Sequence, residues 1–253
     1  MTGRVAALAR HPVKGFTPEP LTSVALTAGA HFPGDRLYAV EDGPCGFDPE
    51  TPEHIKKTAF TVLARLPQVA AVRTRWNEDE GTLTAWHADF GEITADLDGE
   101  AGRSVFATWL SAVLGDAVRG PLKVLSAPDG FRFMDSPKGF VSIINLESVR
   151  DLEAKTGRAV DPARFRGNVM VEGWPAWSEL DLADRDLTLG GARLTGIKPI
   201  TRCAATHVDP HSAERDIDLV RALFDHYGHM DCGLYCRVDA GGPVMVGDDA
   251  RLA

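Results

Sequence analysis

Tyrosine and cysteine are scarce in this 253-residue chain, with three of the first and four of the second. The cysteines, at 45, 203, 232 and 236, are too few and too unevenly placed for a disulfide framework. That excludes a small cross-linked fold and predicts free thiols. No apolar run approaches the roughly 18 residues of a membrane-spanning helix. Residues 1–15 hold a short apolar segment broken by Arg4 and Arg10, with no small-residue cleavage pattern. They are expected to form the first strand of a cytoplasmic protein. Positive charge is short as well: 27 Lys and Arg face 36 Asp and Glu, a net charge of −9. Neither nucleic acid nor an anionic membrane is therefore expected as the main partner, although local basic spots can still hold a small anion. The chain also lacks a Walker loop, a serine nucleophile elbow, a ferredoxin-type cysteine run and a flavin or nicotinamide fingerprint.

Short strand-like runs are plentiful. RVAALARHPV, LTSVALT, GDRLYAVEDG, TLTAW, GEITADL and PLKVLSA occupy the first half. FVSIINL, NVMVEG, GLYCRV and PVMVGDDARL follow in the second, and LTLGGARL reads as a hairpin with a Gly-Gly turn. Helical spacing is confined to three segments. SVFATWLSAVLG opens on Ser104 and stops at Gly115; NLESVRDLEAKTG runs from Asn145 to Gly157. ERDIDLVRALFDHYG ends at Gly228 with Ile217, Val220, Leu223 and Phe224 predicted on one side. Many strands with three inserted helices predict a mainly β protein built on closed or half-closed barrels. A break near DLDGEAGRS divides the chain into a smaller β-rich unit, residues 1–100, and a second unit, residues 101–253, packed together without a long linker.

Several positions are candidates for chemistry. HPVKG and PGDRLYAV each place a cation, Lys14 and Arg36, at a turn beside a strand. They are either a convergent phosphate or carboxylate clamp or solvated surface charges. VDPARFRGN puts Arg164, Arg166 and Asn168 at alternate positions, on one face if the segment is extended. Those donors suit an anionic or heteroaromatic ligand, and the arginines could equally pair with the acids of SELDLADRD. In KPITRCAATHVDP, Cys203 beside Arg202 suits a nucleophile or a metal ligand, against the alternative of a buried inert thiol. HYGHMDCGLYC invites a zinc reading. On a strand, however, Cys232 and Cys236 lie about 13 Å apart, too far to share one metal.

The order HPVKG, PGDRLYAV, SIINLESVRDLE, VDPARFRGN, PITRCAATHVDP and closing GGPVMVGD resembles a MOSC-domain protein with its N-terminal β-barrel. MOSC names the molybdenum cofactor sulfurase C-terminal domain. The resemblance covers nearly the whole chain and implies a MOSC-type β-barrel packed on a smaller N-terminal β-rich domain. It implies further that Cys203 ligates molybdenum or carries sulfur, and that the metal arrives as the molybdenum-molybdopterin cofactor. Lys14 and Arg36 would take the phosphate tail, Arg166 and Asn168 the pterin ring, and Thr201, Arg202 and Tyr235 would complete the pocket. The implied activity is reduction of N-hydroxylated or N-oxide small molecules with electrons from a separate redox protein. The alternative is a sulfur carrier or cofactor-delivery protein using a persulfide on Cys203. One departure stands out: many reducing members read Val-Lys-Ser where this chain reads Val13-Lys14-Gly15.

Overall fold

The computed structural model describes residues 1–137 and 140–252. Apolar residues along VAALAR make the opening strand, β1 (Thr2–Arg10), which buries Val5, Leu8 and Ala9. Short strands β2 (Glu19–Leu21), β3 (Ser23–Leu26) and β4 (Tyr38–Asp42) follow. A meander comes next, β5 (Arg73–Asn77), β6 (Thr82–His87) and β7 (Gly91–Asp96), then helix α1 (Glu100–Leu114) and β8 (Leu122–Ser126). The second half runs β9 (Val141–Asn145), α2 (Leu146–Thr156), β10 (Val169–Glu172), β11 (Asp186–Leu189) and β12 (Ala192–Thr201). It closes with α3 (Leu219–Tyr227), β13 (Asp231–Ala240), β14 (Gly242–Met245) and β15 (Asp249–Leu252).

The protein is mainly β, and its centre is a barrel. Neighbouring strands run β10, β9, β13, β12, β11, β15, β1, and pairing of β1 with β10 closes the ring at seven strands. Closure leaves no unpaired edge at the seam, which is what a closed sheet gains over an open one. β9 and β10 are parallel, an arrangement that needs a crossover, and α2 supplies it. The interior is filled by inward residues such as Val5, Ile143, Val171, Leu187, Leu194 and Leu234. The expected hairpin is present, with Leu189 opposite Ala192 across Gly190 and Gly191.

A second core gathers Val13, Tyr38, Leu83, Phe106, Leu110 and Val124 beneath the β5–β6–β7 meander, the β4–β8 ladder and α1. The two units interleave along the chain. β1 leaves the N-terminal half to join the barrel, while α1 packs on β7 and β8. Among the described residues no helix is long and apolar enough to cross a membrane.

α2 starts behind Asn145 as expected, but the starts of α1 and α3 differ from the sequence expectation. α1 begins at Glu100 rather than Ser104, because the Asp96 side chain takes the amides of Asp98 and Gly99 and turns the chain earlier. The Ser104 hydroxyl donates instead to the Glu100 carbonyl at 3.0 Å. α3 is delayed to Leu219 and capped by Asp218, because residues 207–216 fold into a turn pinned by the Asp209 amide on the Glu214 carbonyl. Phe224, expected on the buried side, is 56% exposed.

Candidate functional site

A cavity of about 250 Å³ opens where the turn after β1, the loop after β8 and the ends of β12 and β13 meet. Lys14, Arg36, Arg166, Thr201, Arg202, Cys203 and Tyr235 all line it. The structure thus brings together residues spread over more than 200 positions of sequence.

β1 delivers Lys14. The chain leaves the strand through His11 and Pro12, and the Lys14 amide donates to the Tyr38 carbonyl at 2.8 Å. The ammonium is buried, donates to the Phe133 carbonyl at 2.8 Å and to the Asp135 carboxylate, and lies 5.8 Å from the centre of the Phe60 ring. Burial pulls the Lys14 pKa down, with Arg36 and Arg166 adding to that and Asp135 opposing it.

Arg36 sits in a left-handed turn, φ 51°, with its amide on the His11 carbonyl at 2.7 Å. Its guanidinium donates to the Asp35 carboxylate and, at 3.2 Å, to the Arg166 carbonyl. Asp35 is fully buried and also takes the His11 amide at 2.7 Å, so it fixes Arg36 from behind. Burial alone would raise the Asp35 pKa, but Arg36 and His11 hold it well below the usual carboxylate range.

The RFRGN segment is not extended, as the single-face reading requires. Pro162–Phe165 is a short 3-10 helix capped by the Asp161 carboxylate on the Ala163 amide, and Arg166 follows in the left-handed region. The three side chains therefore diverge. Arg166 turns into the cavity, donating Nη1 to the Phe16 carbonyl at 2.7 Å. Its Nη2 is buried with no hydrogen-bond partner among the described residues. Burial, then the charge of Arg36, push its pKa down to about 9. Arg164 pairs with Asp209 and Asp216 at 2.8 Å rather than with the acids of SELDLADRD, and so braces the loop after Cys203.

Asn168 is absent from the cavity lining. It is fully buried, accepts from the Ser142 amide and hydroxyl at 3.1 and 2.8 Å, and donates to the Ala9 carbonyl at 3.3 Å. It staples β10 to β9 and β1. A short polar side chain in the barrel wall is consumed by the backbone groups that the wall itself must satisfy.

Cys203 has extended geometry and is partly exposed, at the N-cap of the 3-10 helix Ala204–His207. Its carbonyl takes the Thr206 amide and hydroxyl, both at 3.0 Å. Arg202 is a brace as well as a wall: it donates to the Cys232 carbonyl at 2.7 Å and to the Phe165 carbonyl at 2.8 Å. Thr201 donates to Asp231 at 2.6 Å, and burial raises the Tyr235 pKa. Cys232 and Cys236 lie inside β13, fully buried; burial pushes the first up to about 12 and the second higher still.

Lys57, Asp135 and Lys198 also line the cavity, and the sequence reading does not single them out. Lys57 lies 3.9 Å from Asp135. Burial would lower its pKa, but hydrogen bonding to Cys203 and the pull of Asp135 outweigh that and raise it. No spacing marks Lys57: it is the second of two adjacent lysines and opens the short 3-10 helix Lys57–Ala59. Among the described residues, Asp135 is the one carboxylate on a wall where cations otherwise prevail.

Such a cavity suits a ligand with an anionic end and an atom that seeks sulfur. An unpaired, buried guanidinium nitrogen beside Lys14 and Arg36 is a donor awaiting an anion. The Cys203 thiol in the same lining is a soft ligand for a metal already bound by sulfur. The residues present therefore fit a phosphate-bearing pterin carrying molybdenum. No group of three or more His, Cys, Asp or Glu able to hold a metal occurs among the described residues, so a metal held here brings its other ligands with it.

Comparison with known proteins returns two domain families. The MOSC N-terminal beta barrel domain matches residues 2–118, and the MOSC domain matches residues 131–251. A curated relative, the molybdenum cofactor sulfurase of Caenorhabditis elegans, is 35% identical over 112 residues, 41% of this chain. Those residues are 16% of that protein, so the match spans a small part of its length. Among solved structures, the YuaD protein of Bacillus subtilis superposes with a TM-score of 0.49 at 17% identity, over 99% of this chain and 94% of that one. YiiM from Geobacillus stearothermophilus gives a TM-score of 0.37 at 21% identity, over 46% of this chain and 55% of the other.

Proposed function

The chain belongs to the MOSC-domain proteins, with a MOSC N-terminal barrel domain ahead of the MOSC domain, and from that premise we propose that its cavity binds the molybdenum-molybdopterin cofactor and works as a reductase of N-hydroxylated or N-oxide small molecules. The observation that carries this reading is the convergence of Lys14, Arg36 and Arg166 with the Cys203 thiol in one cavity.

Lys14, Arg36 and Arg166 would hold the cofactor's phosphate. Two of them are oriented by buried partners of their own, Asp35 behind Arg36 and the Phe16 carbonyl behind Arg166, so little ordering remains to be done on binding. Cys203 would ligate the metal, and Thr201, Arg202 and Tyr235 would wall the pocket around it. The bound group supplies the two-electron chemistry; the protein contributes orientation and charge. Lys57, beside Cys203, is placed to hold a proton at the open side of the pocket. The chain has none of the flavin, nicotinamide or ferredoxin fingerprints, so a separate protein is proposed as electron donor.

The identity shared with a molybdenum cofactor sulfurase favours a second reading, in which Cys203 carries a persulfide and hands sulfur on. One experiment separates the two. The protein is co-expressed with a full set of cofactor-synthesis genes beside a known molybdoenzyme, and molybdenum per chain is measured. Near-stoichiometric metal is expected, lost in Lys14→Ala/Arg36→Ala. Cys203→Ala should retain cofactor through the pterin, lose turnover of N-hydroxylated bases with an artificial donor, and change the metal's absorption. An empty protein beside a loaded control removes the reductase reading, and cyanide-labile sulfur on Cys203 then puts sulfur transfer in its place.

A further inference from the structure

Two acids, one on the cavity wall and one behind it, lie against the cavity's cations, and they are held differently. Asp35 is fully buried, with one oxygen on the His11 amide and the other on Arg36. It cannot leave without breaking the turn that aims Arg36. Asp135 lies on an irregular segment between β8 and β9, and its side chain is 47% exposed. One of its oxygens accepts from Lys14, and the other lies 3.9 Å from Lys57. Its backbone is tied down by neighbours, the Phe133 amide on the Arg36 carbonyl at 3.1 Å and the Met134 amide on the Arg132 carbonyl at 2.8 Å. Only the side chain has to turn for the carboxylate to reach solvent.

We propose that Asp135 is the resident counter-anion of the clamp: its carboxylate stands on Lys14, one of the cations that a ligand phosphate uses, is displaced when that phosphate binds, and so decides which anions the cavity admits. The inference rests on the anion-clamp part of the proposed function. Its logic is electrostatic. A buried ammonium such as Lys14 needs a partner when no ligand is present, and Asp135 provides one. Two anions on the same cations repel, so an incoming group competes with the carboxylate rather than joining it. A phosphate monoester brings three acceptor oxygens and nearly two negative charges against one charge on the carboxylate, and it wins that exchange. A monoanion such as nitrate does not. The apparent affinity for any anion falls by the fraction of molecules in which the clamp is free, which makes Asp135 a filter on ligand charge.

The test uses the full chain purified without cofactor and inorganic phosphate as probe, titrated calorimetrically at constant ionic strength. Wild type, Asp135→Asn, Asp135→Ala and Lys14→Ala/Arg36→Ala are compared, with thermal melts to establish that each is folded. Both Asp135 variants are expected to bind phosphate about tenfold more tightly than wild type. Nitrate should bind the Asp135 variants and not the wild type. Unchanged or weaker phosphate binding in both Asp135 variants, with wild type binding and the double variant not, overturns the inference alone; Asp135 would then only brace Lys14. Phosphate binding that survives in the double variant, or no binding by any of the proteins, removes the clamp reading and this inference with it.

Discussion

Gly15 holds φ at 93°, and a Cβ built on it would lie 2.6 Å from the Thr61 carbonyl oxygen. The Val13-Lys14-Gly15 departure from the Val-Lys-Ser pattern therefore has a backbone cause. The turn that carries Lys14 into the cavity passes against Thr61 in a conformation that L side chains rarely adopt, and only glycine fits without strain. Restoring the hydroxyl with Gly15→Ser is expected to destabilise the protein by about 1–3 kcal/mol, read from urea denaturation at neutral pH, with no gain in phosphate affinity. Unaltered stability with tighter phosphate binding would show that the turn relaxes and that the missing hydroxyl was the real loss. Individual residues are unevenly legible in the sequence. Lys14, Arg36 and Cys203 stand in short motifs beside strand ends, and all three line the cavity. Alternation places Arg166 and Asn168 on one face, but the Asp161-Pro162 pair starts a 3-10 turn that cancels it. Lys57 opens a single 3-10 turn and Asp135 lies in an irregular loop, and the path of both segments depends on contacts distant in sequence.

Element ends are most legible in sequence where one residue type controls the backbone. Gly157 and Gly228 end α2 and α3 in the left-handed conformation that glycine alone adopts cheaply, and Gly115 ends α1 at positive φ. Starts set by side-chain competition, such as Asp96 ahead of α1, are not marked by the apolar spacing. His11 joins two elements, the exit of β1 and the turn before β4. Its backbone amide donates to Asp35 at 2.7 Å and its ring nitrogen lies 3.3 Å from the same oxygen. Burial, then the charge of Arg166, lowers its pKa from 6.5 to about 3, against the pull of Asp35. The folded protein thus keeps this ring neutral while the unfolded chain protonates it below about pH 6.5. Its contribution to stability is complete above that value and is lost as pH falls toward 3. From pH 7.5 to pH 5 the loss from this one group is about 2 kcal/mol. His207, also lowered by burial, adds a loss of the same sign, so the comparison has to be made within one background. Urea denaturation at the two pH values should give His11→Gln a drop smaller by about 2 kcal/mol. Equal drops in both proteins would place the titration elsewhere. Asp35, whose pKa is depressed by Arg36 against its burial, contributes above its unfolded value of 3.8 and is lost below it, outside this window.

For the molecule as a whole, the two matched domains are not two self-sufficient bodies. The MOSC match begins at residue 131, yet the barrel of that domain is closed by β1, at the other end of the chain. β1 pairs with β10 over Arg4–Leu8 and with β15 over Thr2–Arg4, so its removal opens two edges and exposes the interior that Val5 and Leu8 cover. The cavity shows the same dependence, since Lys14, Arg36 and Lys57 come from before residue 118 and Arg166, Arg202 and Cys203 from after it. No sequence signal announces this interleaving, because a strand that joins a distant sheet looks like one that pairs with its neighbour. A fragment of residues 119–253 expressed alone is expected to lack a cooperative denaturation transition and to bind no phosphate. Co-expression with residues 1–118 should restore both, because that piece returns the closing strand and half of the clamp. A sharp, two-state melt from residues 119–253 by themselves would mean that another segment seals the β10–β15 gap. Phosphate binding by that fragment at the affinity of the full chain would place the anion on Arg166 and Arg202 without Lys14 and Arg36. Failure of the lone fragment together with rescue by its complement would make the N-terminal half a structural part of the site.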